Sequence, residues 1–220
     1  TENQLKQLKV EASNWTAVSK SLDNISKKMK TVGDAVSELG TKFLGLTATI
    51  GAGITYGIKY NAQLEKYEKA LTTLTGSSEE AQKIMQQIQK DAKTTPFDVA
   101  GLTQANQLLI STGLDAEESR EVILALGNAV SATGGGNDEL SRMAVNLQQI
   151  KNTGKAAAID IKQFAYAGID IYGLLADYLG ISKEEAADMT VTWEDLSGAL
   201  INASKEGGKY FGAMEEQSKT

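Results

Sequence analysis

The sequence contains no cysteine, no histidine and a single proline among its 220 residues. The absence of cysteine excludes disulfide bonds. The absence of histidine removes the commonest general base, the commonest metal ligand and every Ser-His or Cys-His nucleophile pair. With only Pro96 to interrupt them, long stretches are free to be helical. Aromatic residues make up only 6% of the chain, and Ala, Leu, Lys, Glu and Gln are frequent, which predicts an all-α fold.

Charge is distributed unevenly along the chain. The formal net charge is −6. Residues 1–60 carry eight Lys and five Asp or Glu (+3), whereas residues 61–220 carry fourteen Lys or Arg and twenty-three Asp or Glu (−9). An acidic surface over most of the chain argues against specific nucleic-acid binding. No secretory signal is visible, and because the first residue is not Met we expect the sequence to be a piece of a longer protein.

A seam of apolar residues spaced alternately four and three apart runs along the N-terminal region. This spacing keeps one narrow stripe on one helix face for almost four heptads. Packing on a globular domain usually needs a wider stripe. The seam therefore favours a self-associating coiled coil, with an amphipathic helix folded back on its own domain as the alternative and the strand number open, a trimer included. Its residues are Val18, Leu22, Ile25, Met29, Val32, Val36, Leu39 and Phe43.

Residues 43–58 contain no charged residue and are rich in glycine. As a helix they would cover about 24 Å, which is short of the roughly 30 Å hydrocarbon core of a bilayer. Gly53 and Gly57 have the G-x-x-x-G spacing that lets helices approach closely, and Ile50 and Ile54 lie beside them. Burial against protein is the favoured interpretation of these four residues. Transient membrane contact is the alternative.

The remainder predicts short helices joined by loops of two to six residues, as in a compact multi-helix bundle. We expect three parts: a coiled-coil arm (1–42), an apolar Gly-rich helical segment (43–60) and a helical conserved region (61–220). The predicted capping boxes are Ser77 with Glu80, Ser182 with Glu185 and Thr192 with Asp195. Predicted helices span 98–112, 160–167 and 170–179, another starts at Asp115, and Asn137 or Asp138 is the predicted cap of a further one. The glycines predicted to follow helix ends are Gly113, Gly154 and Gly180, and short β-like patches are predicted at 158–161 and 190–192.

Adjacent acidic residues are the nearest approach to catalytic chemistry. A glycosidase needs two carboxylates facing each other across a cleft. Four of the five acidic pairs instead lie in predicted first helical turns, where negative charge complements the helix dipole. We therefore predict no catalytic, cofactor-binding or metal-binding residues and no enzyme. The pairs are Glu79-Glu80, Glu117-Glu118, Glu184-Glu185, Glu194-Asp195 and Glu215-Glu216.

Five short motifs follow one another between residues 95 and 211: Thr95-Pro96-Phe97, Leu126 to Ala129, Gly154-Lys155, Ala167-Gly168-Ile169 and Gly207 to Phe211. In this order they resemble the N-terminal conserved region of the tail tape measure proteins of long-tailed bacteriophages. Asp170 stands where many relatives have proline, which predicts a less rigid turn. The resemblance ends abruptly at Thr220, so we expect the conserved region to be truncated there.

This resemblance implies a structural virion protein whose length sets the length of the phage tail. It also implies a location in the lumen of the tail tube, synthesis in the bacterial host cytoplasm, and the tail tube protein and tail assembly chaperones as partners. Two alternatives stay open. One is a membrane-active, pore-forming protein that uses residues 43–58. The other is a cell-wall hydrolase, which the absence of histidine and of an acid–nucleophile pair disfavours.

Overall fold

The computed structural model describes the backbone of residues 50–219 and the side chains of residues 61–219. The described residues form helices, with one isolated β-bridge between Lys155 and Thr192, which confirms the all-α class. The predicted long N-terminal helix lies outside the described residues up to Ile50. The helices are α1 (Ile50–Thr75), α2 (Ser78–Thr94), α3 (Val99–Ile110), α4 (Ala116–Ala132), α5 (Asn137–Thr153), α6 (Ala158–Tyr166), α7 (Ile171–Leu179), α8 (Lys183–Asp188), α9 (Trp193–Ser204) and α10 (Ala213–Ser218).

The chain divides into two compact units, residues 1–59 and residues 60–220. Of the first unit, the structure describes the helical backbone of residues 50–59. The second unit, called the body below, contains the rest of α1 and all of α2–α10. One apolar core runs through it, and its largest fully buried side chains come from most of these helices, among them Leu71, Phe97, Leu126, Phe164 and Trp193.

Helix α4 lies at the centre of the body. It contacts α3, α5, α9 and α10, and its residues 125–131 are all buried. A helix that is covered on every side must be apolar or small all round. The sequence of this stretch, ALGNAVS, meets that requirement because its only long polar side chain, Asn128, has hydrogen-bond partners on two other elements.

Helix ends follow the local signals of the sequence closely. The Ser182 hydroxyl accepts the Glu185 N–H (3.1 Å) while the Glu185 carboxylate accepts the Ser182 N–H (2.8 Å), so that capping box is confirmed. Thr192 and Asp195 form the same reciprocal pair. Of the predicted box at Ser77, only one half is present, in which the Ser77 hydroxyl accepts the Glu80 N–H at 3.2 Å and caps α2. The glycines predicted to follow helix ends (Gly113, Gly154 and Gly180) all have positive φ, a backbone region that glycine occupies without strain.

Two local predictions were wrong. The N-cap of α5 is Gly136 rather than Asn137 or Asp138, because the Asn137 side chain accepts the Asp98 N–H at 3.2 Å and thus joins the start of α5 to the start of α3. The stretch from Ala158 to Ile161 is the first turn of α6 rather than a β-like patch. It is helical because the Asp160 carboxylate accepts the Ala157 N–H at 2.7 Å and caps the helix from within.

Candidate interaction site

Two of the motifs meet at one point in the core. Gly127 on α4 faces both Phe97, from the loop before α3, and Met214 on α10. A Cβ atom added to Gly127 would lie 2.7 Å from the Met214 Sδ and 3.0 Å from the Phe97 Cε2. Phe97 and Met214 are buried, and Gly127 lies on the buried stretch of α4. Glycine therefore allows the Phe97 and Met214 side chains to approach α4 closely. Phe97, Gly127, Asn128 and Met214 are called the motif cluster below.

Asn128 connects the motif cluster to two further elements. Its Nδ2 donates to the Ser204 Oγ at the end of α9 (2.7 Å), and its Oδ1 accepts the backbone N–H of Met214 (3.1 Å). A buried amide costs free energy unless it is hydrogen-bonded, and both ends of this one are satisfied. Asn128 thus positions α9 and α10 against α4.

The Gly207–Phe211 motif returns the chain from α9 to α4. The Tyr210 N–H donates to the Ala203 carbonyl at 2.8 Å. A Cβ atom on Gly208 would lie 2.5 Å from the Ala203 and Asn202 carbonyl oxygens, so the turn closes only with glycine there. Tyr210 is buried and Phe211 is exposed, which shows that the motif turns the chain and inserts one of its two aromatic rings.

The Gly154-Lys155 motif pairs with the loop before α9. The Ala156 N–H donates to the Val191 carbonyl (2.9 Å), and the Trp193 N–H donates to the Gly154 carbonyl (3.0 Å). The Lys151 Nζ lies 5.1 Å from the centroid of the Trp193 ring, a cation–π distance. Trp193 is itself buried, as expected for a packing residue. This pairing joins the end of α5 to the start of α9.

Asp170, at the turn after Ile169, makes three contacts through its carboxylate that a proline could not make. Its carboxylate accepts the Gly173 N–H (3.2 Å) as the N-cap of α7, and it pairs with Lys183 (2.8 Å) and Lys209 (3.7 Å). The hydrogen bond from Lys183 is the main cause that holds the pKa of Asp170 below its usual value, with the Gly173 N–H and Lys209 adding to the effect. Asp170, Lys183 and Lys209 are called the ion cluster below.

The model of the tape measure protein family matches residues 55–220. The chain belongs to the tape measure protein family. The matched range includes every motif on which the resemblance rests, so the resemblance is confirmed. Comparison with curated proteins and comparison with solved structures gave no significant match. Membership assigns the chain a tape measure role in a phage tail, which is a structural role.

No group of three or more His, Cys, Asp or Glu residues in the described part of the chain could hold a metal ion. All five acidic pairs, including Glu215-Glu216, lie in first helical turns, as we predicted for four of them. In this member of the tape measure family the carboxylates therefore stabilise helix N-termini.

A bidentate ion pair joins α2 to α4. The Arg120 guanidinium donates from Nε and Nη2 to the two carboxylate oxygens of Asp91, each at 2.7 Å, and its Nη1 reaches Glu117 at 3.2 Å. The hydrogen bond to Asp91 is the main cause that raises the pKa of Arg120. Two parallel hydrogen bonds from a planar guanidinium to one carboxylate are among the stronger side-chain interactions in proteins. Here they hold α2 against α4.

The sequence analysis missed an exposed apolar face on α6. Ile159 is 57% exposed and Tyr166 is 74% exposed, although both lie on a helix whose other side buries Ile161 and Phe164. Ile159 and Tyr166 are seven residues apart and so share a face. That spacing was visible in the sequence, but the short length of the helix hid which face would be covered.

The predicted site residues fall at the edge of the described chain or beyond it. The seam from Val18 to Phe43 lies outside the described residues. The structure describes only the backbone of residues 50–60, which is helical and belongs to α1. This range includes the predicted residues Ile50, Gly53, Ile54 and Gly57. Among the described helices, none is long and apolar enough to cross a membrane.

Proposed function

We propose that this chain is part of the ruler that sets tail length, and that its body is a compact domain that does not contribute to the measured length. The observation that carries the proposal is that a family match over residues 55–220 coincides with helices packed on one core. A ruler measures by its extended length, and a compact domain adds very little length.

The difference between the two geometries is large. Residues 60–220 drawn out as one helix would cover about 240 Å at about 1.5 Å per residue. A compact domain of the same size has a radius of gyration of about 15 Å. Only residues outside the body, in extended helices, can therefore contribute length at the helical rise.

The partners follow from the resemblance. We propose that the chain lies in the lumen of the tail tube, that the tail tube protein polymerises around it with the help of tail assembly chaperones, and that it is made in the bacterial host cytoplasm. The body packs Phe97 and Met214 against Gly127 in its interior and exposes Ile159 and Tyr166 on α6, which supports a scaffold whose outer surface contacts other tail proteins.

Self-association is the second element of the proposal. Residues 1–42 form the arm, whose seam pairs with copies of the chain as a coiled coil, and residues 43–60 form an apolar helical segment buried against protein. Ile25→Asp with Val32→Asp places two charges in the seam and should reduce the mass measured by light scattering to that of one chain. Asn24→Asp with Thr31→Asp, two changes off the seam with the same spacing and the same change in charge, is the matched control. An unchanged mass for the seam variant would refute intermolecular pairing.

Tail length is the direct test of the ruler function. In-frame deletions in the parent gene, downstream of the codons for this sequence, should shorten tails seen by electron microscopy by about 1.5 Å per deleted residue. Deleting α5 from the body should instead reduce the number of tails without a matching change in length, since it removes part of the core. Tails whose length is independent of the downstream deletions would remove the ruler function.

The membrane-active alternative has no support from the described helices or from the family comparison. The hydrolase alternative has none either, because the family match is to tape measure proteins and the paired acidic residues lie in first helical turns.

A further inference from the structure

The described part of α1 carries a narrow apolar stripe. Leu64, Tyr67, Leu71 and Leu74 are spaced three, four and three residues apart. The residues between them are mainly Glu, Lys, Thr and Ala, most of which are exposed. Within the body, Leu64 is partly buried, Tyr67 and Leu71 are buried, and Leu74 is 40% exposed. The first three residues of the stripe therefore pack in the body, and the last one is exposed to solvent.

This stripe is in phase with the N-terminal seam. Counting back from Leu64 in alternate steps of four and three reaches Phe43 without a break. Every position on the way is apolar or glycine, and from Ile50 onward the backbone is one continuous helix. In the sequence, the apolar spacing therefore continues over eight heptads, from Val18 to Leu74. The intervening positions are Leu46, Ile50, Gly53, Gly57 and Tyr60.

The length of the seam indicates what kind of partner it fits. A straight α-helix drifts by about 20° per heptad relative to a 3.5-residue repeat, which over eight heptads amounts to about 160°. A flat protein surface could therefore follow this stripe for only two or three heptads. A partner helix that supercoils with it can follow all of it. A second copy of the same chain offers a helix with an identical repeat.

The body occupies the end of that seam. The Gln104 Nε2 donates to the Tyr67 hydroxyl and the Gln107 Nε2 to the Tyr67 carbonyl, each at 3.4 Å, so α3 holds this turn of α1. From α2, the Gln82 Nε2 donates to the Glu68 carboxylate at 2.8 Å. Leu71 has no exposed surface. A second chain cannot pack on Tyr67 and Leu71 while their own body covers them.

We propose that the body is a register stop for a parallel coiled coil between copies of this chain. The copies pair along the seam from Val18 toward Leu64, and the pairing ends where α2 and α3 replace the partner helix. Each copy then ends its coiled coil at the same residue, which aligns the copies and gives every ruler the same starting point. This inference rests on the proposed self-association of the seam.

Single cysteines in the 220-residue chain test the stop directly, because the chain has no cysteine of its own. Leu39 and Leu74 occupy the same heptad position, five heptads apart, so Leu39→Cys and Leu74→Cys have equal geometry in a parallel coiled coil. Thr73→Cys, one residue off the seam and exposed, is the control for random collisions. Mild oxidation followed by non-reducing electrophoresis measures the cross-linked fraction.

We expect Leu39→Cys to cross-link roughly tenfold or more above Thr73→Cys, because pairing raises the effective thiol concentration. Leu74→Cys should cross-link no more than Thr73→Cys. If Leu74→Cys matches Leu39→Cys, the coiled coil runs past the body and the stop is refuted while self-association stands. If neither seam variant exceeds Thr73→Cys, self-association itself fails, and the stop fails with it.

Discussion

The motif cluster and the ion cluster both join distant parts of the body, but by different physics. In the motif cluster, Phe97 and Met214 pack on a glycine, away from water. In the ion cluster, the side chains of Asp170, Lys183 and Lys209 are 40–55% exposed. Apolar burial is insensitive to pH and salt, whereas exposed ion pairs are screened and each contributes little. We therefore expect the motif cluster to contribute much of the free energy of unfolding of the body, and the ion cluster to contribute a smaller part that depends on pH and salt.

The largest expected effect is the loss of the Phe97 ring. Phe97→Ala should lower the free energy of unfolding by about 3–5 kcal/mol, because it removes a buried aromatic side chain and leaves a cavity against Gly127. Urea denaturation followed by circular dichroism measures the change. Phe211→Ala, which removes an exposed ring of the same size, is the control. Equal losses for the two variants would contradict the central role of the cluster.

Adding a larger side chain at Gly127 should destabilise the body less than removing the Phe97 ring. Gly127→Val should lower the free energy of unfolding by about 1–3 kcal/mol, because its Cβ would overlap the Met214 Sδ and press on Phe97. Ala132→Val, at the exposed end of the same helix, controls for the helix propensity of valine. Adding Met214→Ala to Gly127→Val should recover part of the loss, since the two sites are in contact. Strictly additive losses would show that Met214 does not pack on Gly127.

Removing the Asn128 amide should have a similar or smaller effect. Asn128→Ala leaves the Met214 N–H and the Ser204 hydroxyl without their partner, for a loss of about 1–3 kcal/mol. Amide hydrogen exchange gives the sharper readout, because the Met214 amide should exchange faster in the variant. Asn152→Ala, at an exposed position on α5, should leave that rate unchanged. An unchanged Met214 rate in Asn128→Ala would argue against its positioning of α10.

The smallest effect is expected in the ion cluster. Asp170→Asn keeps a side chain that can cap α7 but removes the charge, and should cost less than about 1 kcal/mol at pH 7, because these ion pairs are exposed. The pKa of Asp170 is lowered in the folded state from an ordinary value of 3.8. The stability that Asp170 contributes is therefore fully present well above pH 3.8 and is lost as the pH falls through the lowered folded value.

The pH dependence separates charge from packing. The difference in unfolding free energy between the parent chain and Asp170→Asn should shrink below pH 3.8, and it should also shrink in 1 M salt. The losses in Phe97→Ala should persist under both conditions. A difference for Asp170→Asn that is independent of pH and salt would mean that Asp170 acts through its cap alone.

Local signals predicted much of the body. Capping at Ser182 and Thr192 depends on residues within three positions of each other, so the sequence alone was enough to place those helix starts. The same holds for the glycines that end helices. The prediction of Asn137 as a cap of α5 was wrong because it depended on a distant contact. The Asn137 side chain prefers a partner 39 residues away, and no local pattern records that competition.

The seam shows what the sequence can determine and what it cannot. The alternation of three and four residues from Val18 to Leu74 is determined by the sequence, because periodicity in a helix needs no knowledge of the partner. The sequence likewise determined the all-α class, through composition and capping, and the family, through the order of its motifs. Only the tertiary structure decided that Gly127 receives Phe97 and Met214, that Asp170 collects two lysines, and that the body covers Tyr67 and Leu71. Those contacts join residues far apart in the chain, and which of many apolar or charged faces meet depends on how all the helices pack at once.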